Sequence, residues 1–485
     1  MAVFEQVHAR PRLHRVELLA QAWRDWQASR QYVTSVIGHA GIIAVGGAGR
    51  RVPAGSCSFQ RSPLSLDTIQ TPADRVVLPR LHGRGENPWR RGLRFAPRAD
   101  LVSVVALALV VRIGFCVLVY PRIADRFVAA DGYDVIALNL VEGNGYTLNG
   151  APAAAERLPL YPALLAISIR LFGPVSWPWQ LAQCLCGAVT CGLILTMARK
   201  YGNRTGALAA AALCAVHPTL VFYTARPLTE TLYILLLVLF LQALLQPKWR
   251  ARSVGPLWGL QLLTKSAAFL QVLALVPTAS HRRFGTLART AGCVLIILTP
   301  WMAWNLWISG QPHLLARGGI TLYHGLYISR HVSWTTPTGD LSQEAELALW
   351  QELARHGVAR DADVEQRDAT ARRVAEEWIA SHSGEAFRLW LRNLALTWYL
   401  GRSRLSMLVH LIVHGALLIA AGFGAVRLWR KDPQARDMVI ITLLLIVGYT
   451  VFHAAVQPAV RYILPAVPLA ALLAAGATGK RSAES

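Results

Sequence analysis

The chain has 485 residues, of which 54% are hydrophobic, and its mean hydropathy is +0.36. Soluble globular chains contain about 45–50% apolar residues, whereas several windows here are apolar over about 20 residues, the length that crosses a bilayer. This composition excludes an ordinary soluble protein. The formal net charge of +22 does not indicate nucleic-acid binding, because the basic residues cluster at the ends of apolar stretches.

Residues 1–98 differ from the rest of the chain because they are rich in Arg, Gly, Pro and Ser. Their one apolar run, 33–46, is short, and no signal peptide with an apolar core and a cleavage site is present. We predict a basic, mostly disordered cytoplasmic tail. Residues 99–308 are predicted to form an N-terminal transmembrane catalytic module.

Long apolar stretches predict membrane-spanning helices, because backbone groups in lipid must be paired within the segment. They are residues 100–120, 178–198, 205–224, 228–246, 287–308, 405–428, 436–456 and 462–478. A further stretch, 254–279, is longer than one span and contains Lys265, so we predict two short limbs that meet at this lysine. The expected fold is an all-α polytopic membrane protein with about 10 transmembrane helices, in the range 9–11.

Two other stretches, 159–173 and 386–401, are also predicted to be apolar helices. If they crossed the membrane, the basic clusters of the chain would no longer all lie on the same side. We therefore interpret them as juxtamembrane or re-entrant helices on the outer face. The alternative is that 254–279 is a single span and that one of these two helices crosses.

The basic clusters predict the orientation, because cytoplasmic loops carry an excess of Lys and Arg. With ten crossings every cluster falls on the cytoplasmic side. The clusters contain Arg199, Lys200 and Arg204; Lys248, Arg250 and Arg252; Arg282, Arg283 and Arg289; Arg427, Arg430 and Lys431; and Lys480 and Arg481. The first loop, 121–177, then lies on the extracytoplasmic side.

The largest polar insert, 309–401, is predicted to lie on the same outer side. Its stretches "SQEAELALWQELARHG" and "EQRDATARRVAEEWIASH" carry apolar residues at helical spacing with charges between them. These helices are expected to cover the membrane domain. Residues 402–485 are predicted to form the last transmembrane helices and a short cytoplasmic tail.

The first outer loop contains the most unusual polar pattern. In "DGYDVIALNLVEGNGY", Asp131 and Asp134 flank Tyr133 at the start of a predicted amphipathic helix that ends at Gly143 and Gly145. Such a helix, lying on the bilayer, would present its aspartates to a pocket at the interface. Alternatively, Asp131 is simply the cap of this helix.

Four other charged sites on the outer side each have a functional and a structural interpretation. Glu156 and Arg157 either contact substrate or form a surface ion pair. Glu230 either belongs to the site or lies at the start of a span only because the helix dipole favours a carboxylate there. Lys265 either faces an anion or extends to the interface. Arg461 either binds substrate or anchors the last span at the interface.

The stretch "DGYDVIALNLVEGNGYTLNGAPAAAERLPLYPALLA" resembles the first external loop of the GT-C glycosyltransferases of family 39, which include protein O-mannosyltransferases and the lipid A aminoarabinose transferase. Later stretches resemble this family in the same order: "HPTLVFYTARPLTETLYILLL", "GLQLLTKSAAFL", "LTPWMAWNLWISGQPHLLARGGITLYHG" and "RYILPAVPLAALLAAGA". The resemblance covers about residues 100–478. The sequence departs from the family pattern at Leu158, where relatives have proline, and at Trp304, where they have arginine.

The resemblance implies an inverting transfer of a sugar from a polyprenyl-phosphate-linked donor to a lipid, glycan or protein acceptor. Asp131 and Asp134 compete for the role of general base, because the acidic residue stands at an unusual offset from Tyr133; we prefer Asp131. A general base must reach the acceptor proton, and a leaving phosphate needs fixed positive charge. The expected substrate-binding residues are Tyr133, Glu156, Arg157, Tyr161, Glu230, Lys265, Arg317 and Arg461, with Tyr323 as a further candidate to contact a sugar.

The sequence does not identify a cofactor. Some relatives carry a divalent metal, but no cluster of potential metal ligands in this sequence indicates one. The expected partners are the lipid-linked donor, membrane lipids and the acceptor, with no nucleic acid. The expected location is the cell membrane, with the site on the extracytoplasmic face. The alternatives are a transporter, for which repeated halves and broken mid-membrane helices would be typical, and a non-catalytic scaffold that binds polyprenyl lipids.

Overall fold

A computed structural model describes residues 98–124, 131–148, 151–152, 156–246, 250–279, 284–334, 341–359 and 362–478. The predicted N-terminal tail falls outside these residues, except for its last position. The regular secondary structure of these residues is helical apart from one short antiparallel pair of strands, β1 (Thr147–Leu148) and β2 (Ala151–Pro152). In this pair Thr147 is opposite Pro152. The prediction of an all-α membrane fold is confirmed.

The described residues form 18 α-helices, here numbered in chain order. The first half contains α1 (Arg98–Gly114), α2 (Tyr133–Val141), α3 (Leu160–Phe172), α4 (Trp177–Tyr201), α5 (Arg204–Val216), α6 (Pro218–Thr224), α7 (Glu230–Leu244), α8 (Arg250–Leu262), α9 (Val272–Ala279) and α10 (Phe284–Ser309). The second half contains α11 (Gly318–His331), α12 (Leu341–Arg355), α13 (Val364–Ser381), α14 (Ser383–Tyr399), α15 (Arg404–Lys431), α16 (Arg436–Val456), α17 (Val460–Ile463) and α18 (Ala466–Ala474).

Five helical segments among the described residues are long and apolar enough to cross a membrane. They are Arg98–Arg122, Trp177–Tyr201, Gly285–Ser309, Arg404–Arg430 and Arg436–Val456. A sixth is present if α5 and α6, which are bent by 49° at their junction, form one span. The chain is therefore a multi-pass membrane protein, and the number of about ten crossings stays a prediction.

Two of the predicted apolar stretches, 205–224 and 254–279, each divide into two helices, at a position that the sequence explains. Pro218 separates α5 from α6, because proline has no N–H with which to continue the helix. The stretch 254–279 divides into α8 and α9, which are connected through Lys265 and a 3-10 segment, Ser266–Gln271. The prediction of two limbs that meet at Lys265 is confirmed.

At one end of the helical bundle, residues of the predicted cytoplasmic clusters come together. Arg204 donates two hydrogen bonds of 2.8 Å to the carboxylate of Asp100 at the start of α1, and Arg199 also binds this carboxylate. Arg427 donates to the backbone oxygen of Ala477, 2.9 Å away. The ends of α1, α4, α5 and α15 and the segment after α18 therefore meet on one side, as the charge pattern predicts.

The polar insert is helical and has a small core of its own. Ile320 of α11, Leu349 and Leu353 of α12, and Val364 and Ala371 of α13 are buried together. The two predicted juxtamembrane helices are present as α3 and α14, which have 13 and 17 residues.

Candidate functional site

At the opposite end of the bundle, four charged residues from distant parts of the chain form one ionic cluster. Arg461 of α17 donates from Nε to Oε1 of Glu230, 2.6 Å away, and from Nη2 to Oδ2 of Asp131. Lys265 donates from Nζ to the same Glu230 oxygen, at 3.1 Å. We call Asp131, Glu230, Lys265 and Arg461 the site cluster.

Helix boundaries position the members of the site cluster. Glu230 is the first residue of α7, and Arg461 lies in the four-residue helix α17. Lys265 has an extended backbone (φ −153°, ψ 128°) between the end of α8 and the 3-10 segment. Because the chain changes direction at these points, polar side chains can meet without lying in the middle of a regular apolar span.

The loop that carries Asp131 does not use this residue as a helix cap. Gly132 occupies the N-cap position of α2 with a left-handed backbone (φ 66°), and no side chain caps the helix. The left-handed backbone favours glycine here, and a Cβ atom on Gly132, only 2.5 Å from a methyl carbon of Leu148, would also displace that side chain. Among the described residues, the carboxylate of Asp131 is hydrogen-bonded to Arg461 only.

The two aspartates of the loop have opposite electrostatic environments. Burial alone would raise the pKa of Asp131, but the guanidinium of Arg461, with Arg157 and Lys265 nearby, lowers this pKa well below its usual range. Burial raises the pKa of Asp134 above its usual value. Oδ1 of Asp134 is buried and has no hydrogen-bond partner in the described part of the chain.

Tyrosine rings lie close to the charged residues of the site. The ring centroids of Tyr133 and Tyr161 are 5.5 Å apart in an edge-on arrangement. Tyr462 lies beneath both cations, with its ring centre 5.2 Å from Nζ of Lys265 and 5.8 Å from the guanidinium carbon of Arg461. These distances are within the range of cation–π attraction.

A second ionic cluster adjoins the first through Arg157, which donates from Nε to the backbone oxygen of Asp131, 2.8 Å away. Glu156 accepts hydrogen bonds of 2.9 Å from Arg317 and from Arg367. Burial lowers the pKa of Arg317, although this residue remains charged near neutral pH. We call Glu156, Arg157, Arg317 and Arg367 the arginine cluster.

The structure brings together the eight predicted substrate-binding residues, but not the further candidate Tyr323. Tyr323 packs against the core of the insert instead of the site cluster. The sequence did not predict two residues: Arg367, which reaches Glu156 from helix α13 of the insert, and Tyr462, which lies against Lys265 and Arg461. The amphipathic pattern of α13 gave no signal for Arg367, because exposed arginines are ordinary on such a helix.

Within the described residues, no group of three or more His, Cys, Asp or Glu side chains could hold a metal ion. Both carboxylates of the site cluster are hydrogen-bonded to Arg461, so they form part of a charge-paired network rather than an open set of oxygen ligands. The residues of the site cluster therefore do not fit a divalent-metal site.

Residues 154–307 match the model of the family described as dolichyl-phosphate-mannose-protein mannosyltransferase. The resemblance to these glycosyltransferases is confirmed over this segment. It contains Glu156, Arg157, Glu230 and Lys265, whereas Asp131 and Arg461 lie outside it.

Among solved structures, the chain matches ArnT from Cupriavidus metallidurans bound to undecaprenyl phosphate, with a TM-score of 0.34 and 16% identity over 75% of this chain and 78% of that one. The apo state of the same protein matches with a TM-score of 0.34 and 15% identity, over 74% and 78% of the two chains. No curated protein sequence matches the chain significantly.

Proposed function

We propose that the chain is an integral-membrane glycosyltransferase that transfers a sugar from a polyprenyl-phosphate-linked donor to a lipid, glycan or protein acceptor. The observation that carries the proposal is the site cluster, in which the carboxylate of Asp131 is held beside two cations. The family match over residues 154–307 supports the reaction class.

The orientation of the helices supports an extracytoplasmic site in the cell membrane. The basic ends of α4, α5 and α15 mark the cytoplasmic side by the positive-inside rule. The site cluster lies at the opposite end of the bundle, with Glu230 at the start of α7 and Arg461 in α17. A lipid-linked donor could enter such a site laterally, because its polyprenyl chain stays in the bilayer while its sugar and phosphate face the interface.

The balance of charge suggests where the donor phosphate binds. In the site cluster, two carboxylates offset the charges of Lys265 and Arg461. In the arginine cluster, Glu156 offsets only one of three guanidinium groups. The excess positive charge near Arg157 and Arg317 therefore favours an anion beside the site cluster, and guanidinium groups bind phosphate oxygens with favourable geometry.

The proposed reaction is a single inverting displacement at the anomeric carbon. The acceptor oxygen or nitrogen forms the new bond to this carbon and gives its proton to Asp131. The bond from the carbon to the phosphate oxygen breaks, and its electron pair leaves with the lipid phosphate. Arg157, Lys265, Arg317 and Arg461 stabilise the negative charge of that phosphate, which is most effective where water is excluded.

The role of Asp131 follows from its surroundings. Arg461 binds Oδ2, so the other carboxylate oxygen can accept a proton while the side chain stays oriented. The lowered pKa of Asp131 keeps it ionised, as a base must be before the acceptor attacks. Asp134, with its raised pKa and its unpartnered buried oxygen, is the alternative base.

The test uses membranes that contain the full chain, incubated with a labelled polyprenyl-phosphate sugar and an extract of cell-envelope acceptors. We expect wild type to form a glycosylated product, and Asp131→Asn to lower the rate of transfer at least ~100-fold, the typical contribution of a general base. Asp134→Asn is the matched control and should keep most of the activity.

Other outcomes would contradict the proposal. Full transfer by both variants would exclude an aspartate base in this loop. Movement of the labelled sugar across the membrane without any glycosylated product would identify a transporter instead. Binding of the lipid without either activity, unaffected by both substitutions, would indicate a scaffold.

A further inference from the structure

Helix α11 begins with two glycines, and the second of them lies directly against the backbone of α13. A Cβ atom on Gly319 would lie 2.7 Å from the Cβ of Arg372 and would also collide with the backbone oxygen of Asp368. Gly319 is buried within the helix and does not have a left-handed backbone. Glycine is therefore needed at this position for the close approach of two helices, and not for a turn.

The side chain of Asp368 connects the same two helices. Its Oδ1 accepts a hydrogen bond of 2.9 Å from the backbone N–H of Ile320, in the first turn of α11. The first N–H groups of a helix have no partner within the helix, and the side chain of the N-cap residue, Arg317, does not cap α11. A buried carboxylate of α13 therefore caps α11. We call Gly319 and Asp368 the helix junction.

Two arginines next to the helix junction bind one carboxylate. Arg317 immediately precedes α11 and donates from Nη1 to Oε2 of Glu156, 2.9 Å away. Arg367 immediately precedes Asp368 and donates from Nη2 to Oε1 of Glu156, also at 2.9 Å. Because each arginine lies within two residues of the helix junction, a shift of α11 relative to α13 would change the spacing of the two guanidinium groups.

Other contacts of α11 limit how it can move. A Cβ atom on Gly325 would collide with the backbone oxygen of Val456 at the end of α16, so α11 is packed closely on this side as well. Ile320 packs with residues of α12 and α13 in the core of the insert. Since close-packed interiors transmit strain, an added Cβ at Gly319 should separate α11 from α13 and move the two arginines apart.

We propose that Gly319 and Asp368 are positioning residues that hold Arg317 and Arg367 at the spacing that binds the phosphate of the lipid-linked donor. Neither Gly319 nor Asp368 touches the donor. Guanidinium groups bind phosphate oxygens through hydrogen bonds of defined geometry, so the affinity depends on the spacing of the groups as well as on their charge. This inference rests on the proposed function, in which the donor phosphate binds beside the arginine cluster.

The main test is the affinity of the full chain, in detergent micelles, for a fluorescent polyprenyl phosphate. We expect Gly319→Ala to raise Kd about tenfold, comparable to the loss of one charge-assisted hydrogen bond. The matched control is Gly384→Ala in α14, because a Cβ atom at this helical glycine would meet nothing within 4 Å. The Kd of the control should equal that of wild type.

Two substitutions of Asp368 test the second contact of the helix junction. Asp368→Ala removes the acceptor for the N–H of Ile320, and Kd should rise several-fold. Asp368→Asn keeps a side-chain oxygen, and asparagine caps helices about as well as aspartate does, so Kd should return close to the wild-type value. If Gly319→Ala does not fold, the comparison of these two variants decides.

A double-mutant cycle separates positioning from general destabilisation. If Gly319 acts through the spacing of the two arginines, Gly319→Ala should have little further effect on Kd after Arg367→Met has removed one of them. A substitution that only destabilises the fold would lower the midpoint of thermal unfolding and leave the Kd of the folded protein unchanged.

Three outcomes would overturn the positioning role while wild type still binds the lipid phosphate. They are a wild-type Kd in Gly319→Ala, an equal effect of Gly319→Ala with and without Arg367→Met, and an Asp368→Asn variant as weak as Asp368→Ala. Failure of wild type itself to bind the polyprenyl phosphate would instead contradict the proposed function, and this inference with it.

Discussion

The two ends of the helical bundle each contain an ionic cluster, and the two clusters differ in how completely their groups are paired. At one end, both oxygens of Asp100 are hydrogen-bonded to Arg199 and Arg204. At the other end, Asp131 and Glu230 each use one carboxylate oxygen to bind Arg461. The second oxygen of each carboxylate has no partner in the described part of the chain.

The difference shows what separates a structural ion pair from a candidate site. Asp100 is saturated, and Arg204 is 61% exposed, so this cluster can hold helix ends together and do little else. The site cluster is in contact with the ring of Tyr462 and adjoins an excess of positive charge. Its unsatisfied oxygens are costly unless a substrate, a proton or water pairs with them.

The largest expected effect comes from removing the arginine that joins the site cluster. Arg461→Met leaves two carboxylates, one of them fully buried, without their shared cation. Removing one partner of a buried ion pair costs about 3–5 kcal/mol. We expect sugar transfer to be lost and the midpoint of thermal unfolding in detergent to fall clearly. An unchanged midpoint would mean that the cluster is not buried as described.

The pH dependence of transfer distinguishes the two aspartates. Because the pKa of Asp131 is lowered, a base at this position stays ionised from pH 8 down to pH 5. Protonation of Asp131 should therefore not lower the rate of sugar transfer in this range. The stabilising contribution of its ion pair is present above about pH 3.9 and is lost as the pH falls through the lowered value.

A base at Asp134 would behave differently. Its raised pKa predicts a rate that falls as the pH decreases through a value above the ordinary aspartate pKa of about 3.9. Initial rates of sugar transfer measured from pH 4.5 to pH 8, with a stability control at each pH, decide whether Asp131 or Asp134 is the base. An acid limb that disappears in Asp134→Asn would assign the base to Asp134.

A smaller effect is expected from the insert. Arg367→Met removes one charge-assisted hydrogen bond to Glu156 and one positive charge from the arginine cluster. We expect KM for the donor to rise about tenfold, since such bonds contribute about 1.5–3 kcal/mol.

The matched control for this prediction is Arg355→Met, in the same insert. Arg355 is 69% exposed and pairs only locally with Glu352, so KM should not change. Equal effects of the two substitutions would show that the arginine cluster does not bind the donor.

The smallest effect is expected at the opposite end of the bundle. Arg204→Met breaks an exposed ion pair with Asp100, and such pairs contribute about 0.2–1 kcal/mol. The thermal midpoint should decrease slightly and transfer should stay near wild type. A loss of transfer comparable to that of Arg461→Met would remove the distinction between the two clusters.

The sequence predicted many members of the site, because each carries a local signal. Lys265 interrupts an apolar stretch, Glu230 begins one, and Asp131 stands in a polar loop after the first span. The resemblance to a known family, now confirmed over residues 154–307, also came from short motifs in order. The partners of each residue could not be predicted: Arg461 binds a carboxylate 231 positions away and another 330 positions away.

Hydropathy and charge patterning by themselves determined that this chain crosses a membrane as helices and where most of them begin and end, because the bilayer imposes the same local rule on every span. Only the tertiary structure decided that Arg461 joins Asp131 to Glu230, that Arg367 of the insert reaches Glu156, and that Arg112 donates to backbone oxygens at the end of α5. These contacts depend on how the helices pack against one another, and pairings across hundreds of residues leave no local pattern.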